Sequence, residues 1–66
     1  MNLPKINEQY KHIKSGRSYT VIEIAKHTEN LVPLVIYKEN EASEVTWARP
    51  VHMFMDGRFE KINRKA

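Results

Sequence analysis

A chain of 66 residues with no cysteine and a formal charge of +3 makes one small domain, with no disulfide framework and no thiolate metal site. It can bury only about 60% of the surface its unfolded form exposes, which leaves no room for an enclosed cofactor cavity. The longest apolar run, Leu31 to Tyr37, is broken by Pro33 and is too short to span a bilayer.

The first residues, MNLPKINEQY, hold no apolar stretch of the kind a signal peptide needs. With cysteine absent, a cytoplasmic monomer is expected. Charge is uneven along the chain. Residues 1–18 carry four cations and one anion, residues 19–57 three cations and six anions, and residues 58–66 four cations and one anion. The ends are basic and the middle acidic. Termini of small domains often lie together, and these would then form one basic patch able to attract phosphates. Charged residues that merely solvate a small surface explain the same pattern.

In chain order, residues 1–7 read as a loose lead-in, with Pro4 and Asn7 against helix. Tyr10 to Lys14 alternates as a strand, Tyr10 and His12 on one side and Ile13 on the other. Ser15 to Ser18 is a turn, because Gly16 can take positive φ. Tyr19 to Thr28 is rich in β-branched and aromatic residues and reads as a long strand. Its apolar side switches midway, from Tyr19 and Val21 to Ile22 and Ile24, which predicts a bulge or a bend from one sheet into another. His27 to Asn30 should turn. Val32 to Tyr37 is apolar on both faces and reads as a central strand, with Pro33 at its start or beside a bulge. Glu39 to Ser43 is a polar loop, Val45 to Arg49 a strand with Val45 and Trp47 on one face, and Arg58 to Ile62 a last short strand. Residues 63–66 read as a frayed tail.

Five strands with short turns predict an all-β, mainly antiparallel domain: a small, strongly bent barrel with one helical turn near 50–56. The alternative is an open meander with one helical turn packed across it.

The stretch Trp47-Ala48-Arg49-Pro50-Val51-His52-Met53-Phe54 is the densest in chemistry. Arg49 precedes proline and is pushed toward extended backbone. Pro50 suits the first position of a helical turn, Val51 and Phe54 fall on one side of it, and Gly57 suits a left-handed stop. Read structurally, Phe54 covers an open barrel end and Trp47 is core, worth about 2–3 kcal/mol of burial. Read functionally, Trp47 stays partly exposed and stacks on a base or covers a proline, while Arg49 beside it takes an anion.

The ordered pieces Tyr10-Lys11-His12-Ile13-Lys14, Tyr19-Thr20-Val21, Ala25-Lys26-His27, Val35-Ile36-Tyr37, Trp47-Ala48-Arg49-Pro50, Met53-Phe54 and Arg58-Phe59 resemble the small bacterial family labelled "domain of unknown function 1653". The resemblance covers about residues 8–62 and is strongest in Trp-x-Arg-Pro-x-x-Met-Phe. It implies a small SH3-like barrel and no assigned activity. Ser15 before Gly16, and the short link Met55-Asp56-Gly57, depart from the family pattern.

No chemistry stands out elsewhere. His12, His27 and His52 have no ligand spacing and no cysteine to join them, so no metal and no cofactor is expected. His27 is expected to hydrogen-bond near its turn, with Glu29 able to hold it charged. Ser15, Ser18 and Ser43 lie in turns without a nucleophile elbow, and two glycines cannot build a phosphate loop. No enzyme is expected. Glu23, among apolar neighbours on a strand, calls for a cation, and Arg49 or Arg58 could supply it.

The expectation is therefore a binding module. In one version Lys5, Lys11, Lys14, Arg17, Arg58, Lys61 and Arg64 meet phosphates of nucleic acid and tyrosines stack. In the other, a peptide or protein partner lies in an aromatic groove of Trp47, Tyr37 and Tyr10. The candidate binding residues are Tyr10, Tyr37, Trp47, Arg49, Arg58, Lys11 and Lys14.

Overall fold

The computed structural model describes residues 3–42 and 44–62. Five strands and one short helix follow in order: β1 (Gln9–His12), β2 (Ser18–Lys26), β3 (Pro33–Glu39), β4 (Thr46–Pro50), α1 (Val51–Phe54) and β5 (Phe59–Lys61). All pairings are antiparallel, and the sheet order is β4-β3-β2-β1-β5. β1 to β4 form a meander and β5 returns beside β1. The all-β bent architecture expected from the sequence is present, and it is left open between β4 and β5.

The local reasons are visible in the residues. Gly16, at φ +75, closes the β1–β2 hairpin by donating its N–H to the His12 carbonyl at 2.7 Å. β2 pairs with β3 through Val21↔Tyr37, then slips by one residue to Glu23↔Ile36 and Ile24↔Val35. Ile22 is the bulged residue, where the switch in apolar side predicts a bulge or a bend. The slip returns Ile24 to the face that carries Val21, and the extra residue bends the strand. Pro33 opens β3, where a missing N–H is tolerated. Pro50 sits one position earlier than expected, as the N-cap of α1, with no side-chain cap. Gly57 takes positive φ, +106, three residues beyond the helix.

The core is Tyr10, Val21, Val35, Tyr37, Val51 and Phe54. α1 packs against β3 and β4 and lowers Phe54, fully buried, into a ring cluster. Phe54 stacks on Phe59 at 4.2 Å and meets the edges of Tyr10 at 5.0 Å and Tyr37 at 5.3 Å.

Trp47, by contrast, is not core. It stands opposite Tyr37 yet is 50% exposed. β4 is an outer strand, no strand among the described residues covers its far side, and the core is already filled by Phe54 with Phe59 stacked on it. The lead-in also differs from expectation over residues 3–7. Pro4 is buried, and the Asn7 N–H donates to the Val21 carbonyl at 2.8 Å. Residues 1–2 and 63–66 lie outside the described residues.

Leu31 is two-thirds exposed and sits at φ +60, a left-handed conformation that costs a Cβ-bearing residue about 1–2 kcal/mol. Its side chain returns little of this. Leu31→Asn is expected to raise stability by about 0.5–1 kcal/mol, since asparagine tolerates the region. A urea midpoint equal to or below that of the native chain would contradict this.

Candidate functional site

The curled sheet brings β4 toward β1 and β5 and leaves a groove of about 390 Å³ between them. Trp47 and Arg49 line it from β4, Tyr37 from β3, Tyr19 from β2 and Phe59 from β5. Cross-strand register explains this grouping. Tyr37↔Trp47 and Val35↔Arg49 are directly opposed, so both β4 side chains emerge on the inner face. His12, Ser15 and Arg17, from β1 and its hairpin, complete the far wall.

Arg49 is held by aromatic groups. Its Nε–H donates to the Tyr37 hydroxyl at 3.3 Å, and its guanidinium carbon lies 5.7 Å from the Phe59 ring centre, within cation–π range. It forms no ion pair among the described residues. The expected pairing of Glu23 with Arg49 or Arg58 does not occur. Glu23 is exposed, because the bulge turns it outward, and its Oε1 accepts from the Ile24 N–H at 2.9 Å. Arg58 instead meets Asp56 at 3.1 Å. On the groove rim Arg17 meets Glu39 at 3.3 Å with its side chain still 64% exposed.

The candidate residues therefore separate. Tyr37, Trp47 and Arg49 converge in the groove. Lys14 and Arg58 lie next to it, in a depression that shares His12. Lys11 does not belong: strand alternation puts it on the opposite face of β1 from Tyr10 and His12, paired in register with Glu60. Tyr10 does not belong either. It is buried against Phe54, and its hydroxyl donates to Glu8 Oε1 at 3.2 Å. Arg17, one of the expected phosphate cations, and Tyr19, one of the tyrosines expected to stack, both line the groove, whereas the sequence reading missed Phe59, His12 and Ser15. For Tyr19 a signal existed, since it shares the Val21 face. Arg17 lies in a turn, and only the curl of the sheet brings the turn to β4.

β1–β5 pairing does bring the two basic ends together, as expected, but carboxylates neutralise much of the patch. Lys61 meets Glu8 at 2.8 Å, Arg58 meets Asp56 and Arg17 meets Glu39. Arg64 lies outside the described residues. His27 hydrogen-bonds at its turn, where its Nδ1 accepts the Glu29 backbone N–H at 3.1 Å. This contact is with the Glu29 backbone, where the sequence reading looked to its carboxylate. Among the described residues no group of three or more His, Asp or Glu side chains gathers in metal-binding geometry.

The Glu8 cluster gives a titration with a definite sign. The Lys61 ammonium, first, and the Lys5 backbone N–H, second, hold the Glu8 carboxyl below its ordinary 4.5. Burial, then the Glu8 charge, pushes the Tyr10 phenol up to about 12, so it remains a donor at neutral pH. A carboxyl lowered by folding stabilises the fold above pH 4.5, and this contribution is lost as pH falls through the folded value. Glu8→Gln is expected to cost about 1 kcal/mol at neutral pH, with the gap narrowing as pH falls below 4.5 and the carboxyl takes up its proton. Urea melts at neutral and at acid pH check it; a gap that persists in acid would contradict it.

Among the described residues no helix is long and apolar enough to cross a membrane. No curated protein and no solved structure matches the chain. A family model does, over residues 8–64, which takes in every residue of the groove. The chain belongs to the family described as protein of unknown function (DUF1653).

Proposed function

We propose that the domain is a non-catalytic, cytoplasmic binding module for single-stranded nucleic acid, with Trp47 as the stacking surface and Arg49 as the phosphate contact. The observation that supports this is the Arg49 guanidinium, free of any carboxylate among the described residues, held by Tyr37 and Phe59 beside a half-exposed indole. Of the two arginines in the groove wall, Arg17 meets Glu39 at the rim while Arg49 has no carboxylate partner among the described residues, so the charge that favours an anion is that of Arg49. Aromatic faces beside it favour a flat ring carried with that anion.

A non-catalytic role fits the polar groups present. Ser15 Oγ lies 3.1 Å from His12 Nδ1, a nucleophile-to-base spacing. The same Nδ1 also accepts the Ser15 backbone N–H, and Ser15 Oγ accepts the Arg17 N–H. These are bonds of a turn, and no carboxylate orients the imidazole toward a reaction.

The second reading, a peptide laid along β4, draws on the free outer edge of that strand. Residue-resolved NMR titration against single-stranded oligonucleotides and against peptides, each at two salt concentrations, separates the two. The nucleic-acid reading expects shifts at Trp47, Arg49 and Tyr37 with oligonucleotide, weakening as salt rises. Shifts with peptide alone, insensitive to salt, would replace it with the peptide reading.

A further inference from the structure

The groove continues past its own wall. His12 borders both it and a second depression of about 440 Å³ formed with Ile13, Lys14, Gly57 and Arg58. The two loops that make this depression are tied together, the Ile13 N–H donating to the Arg58 carbonyl at 3.0 Å. Lys14 forms no ion pair among the described residues. Arg58 keeps half of its side chain exposed while it meets Asp56. Ile13, 56% exposed, offers an apolar surface beside these cations. Nothing lies within 4 Å of the place where a Gly57 Cβ would stand, so the loop is open to an approaching backbone.

Two cations and an apolar surface here, joined through His12 to a cation and an indole there, make a repeated pattern of charge and apolar contact. A nucleic-acid strand presents the same repeat of phosphate and base. From this we infer that the domain binds an oligonucleotide across two contiguous subsites: one base on Trp47 with its phosphate at Arg49, and the neighbouring phosphate at Lys14 and Arg58. The inference rests on the nucleic-acid reading above and deepens it, naming a strand of two or more nucleotides as the ligand in place of a free nucleotide.

The test is a length series followed by Trp47 fluorescence: inorganic phosphate, uridine monophosphate, and the di- and tetranucleotides of uridine and of thymidine. Affinity is expected to rise about tenfold from mononucleotide to tetranucleotide, the order of one added phosphate and base contact. Lys14→Gln should flatten the salt dependence of tetranucleotide binding by about 0.7 in log–log slope and leave mononucleotide affinity unchanged. Lys11→Gln, on the other face of β1, should leave both the salt dependence and the mononucleotide affinity unchanged. Mononucleotide binding with no gain from length, or an equal loss in Lys11→Gln, would overturn the second subsite and leave the first standing. Binding of inorganic phosphate as tight as that of the nucleotides would overturn the base contact on Trp47, and with it the nucleic-acid reading, since the bases would then contribute nothing. No binding by any nucleotide would remove the nucleic-acid reading itself.

Discussion

Phe54→Ala is expected to leave the chain largely unfolded at room temperature. The ring is fully buried, stacked on Phe59 and edged by Tyr10 and Tyr37. Truncating such a phenylalanine costs about 3–5 kcal/mol, from lost transfer free energy and the void left behind. A domain of this size has only about 3–5 kcal/mol in total. The four-residue helix that carries Phe54 cannot persist without its packing, so Val51 would leave the core with it. Circular dichroism should show no cooperative melt. Phe54→Leu, which keeps most of the volume, should fold with a loss of about 1–2 kcal/mol. A cooperative melt for the alanine variant near the native midpoint would contradict the placement of this ring at the centre of the core.

Trp47→Ala should do the opposite, sparing the fold and removing the ligand. An indole half exposed on an outer strand contributes little packing, and the stability loss should stay under about 1 kcal/mol. If a base stacks on it, binding should weaken by about 1–3 kcal/mol, roughly 5- to 150-fold. The two variants together separate the halves of the Trp47–Phe54 stretch, one end displayed and the other buried. A Trp47→Ala chain that unfolds would return the indole to the core. One that binds oligonucleotide as tightly as the native chain would remove it from the site.

How far these roles were legible in the sequence depended on whether local pattern or sheet curvature decided them. An irregularity midway along β2, a bulge or a bend, was legible because the strand changes its apolar side; that it is a bulge at Ile22, which leaves Ile22 itself exposed, was not. The strand start at Pro33 and the helical turn after Pro50 were legible for backbone reasons of the same local kind. Trp47 was not. Its type and face both argued for core, and the deciding fact is that β4 is the outermost strand of the sheet among the described residues. Tyr10 and Tyr37 look alike in sequence and are equally buried against Phe54, yet the hydroxyl of one meets Glu8 and that of the other meets Arg49 in the groove. The pairing assigned to Glu23 failed because the same bulge also turns its side chain to solvent. Phe59, His12 and Ser15 join the groove only through the curl of the whole sheet, a property that no short window of residues carries.

The central claim is that Trp47 and Arg49 together hold a base and its phosphate. Trp47 is the only tryptophan in the chain, so its emission reports on the groove alone. The most direct measurement is a fluorescence titration of the native chain and of Arg49→Gln with a single-stranded oligonucleotide, at low and at raised salt. The account predicts saturable quenching in the native chain that weakens as salt rises, and a weaker, less salt-dependent response in Arg49→Gln. Emission that does not respond to oligonucleotide at low salt, or that responds equally in both proteins, would contradict it.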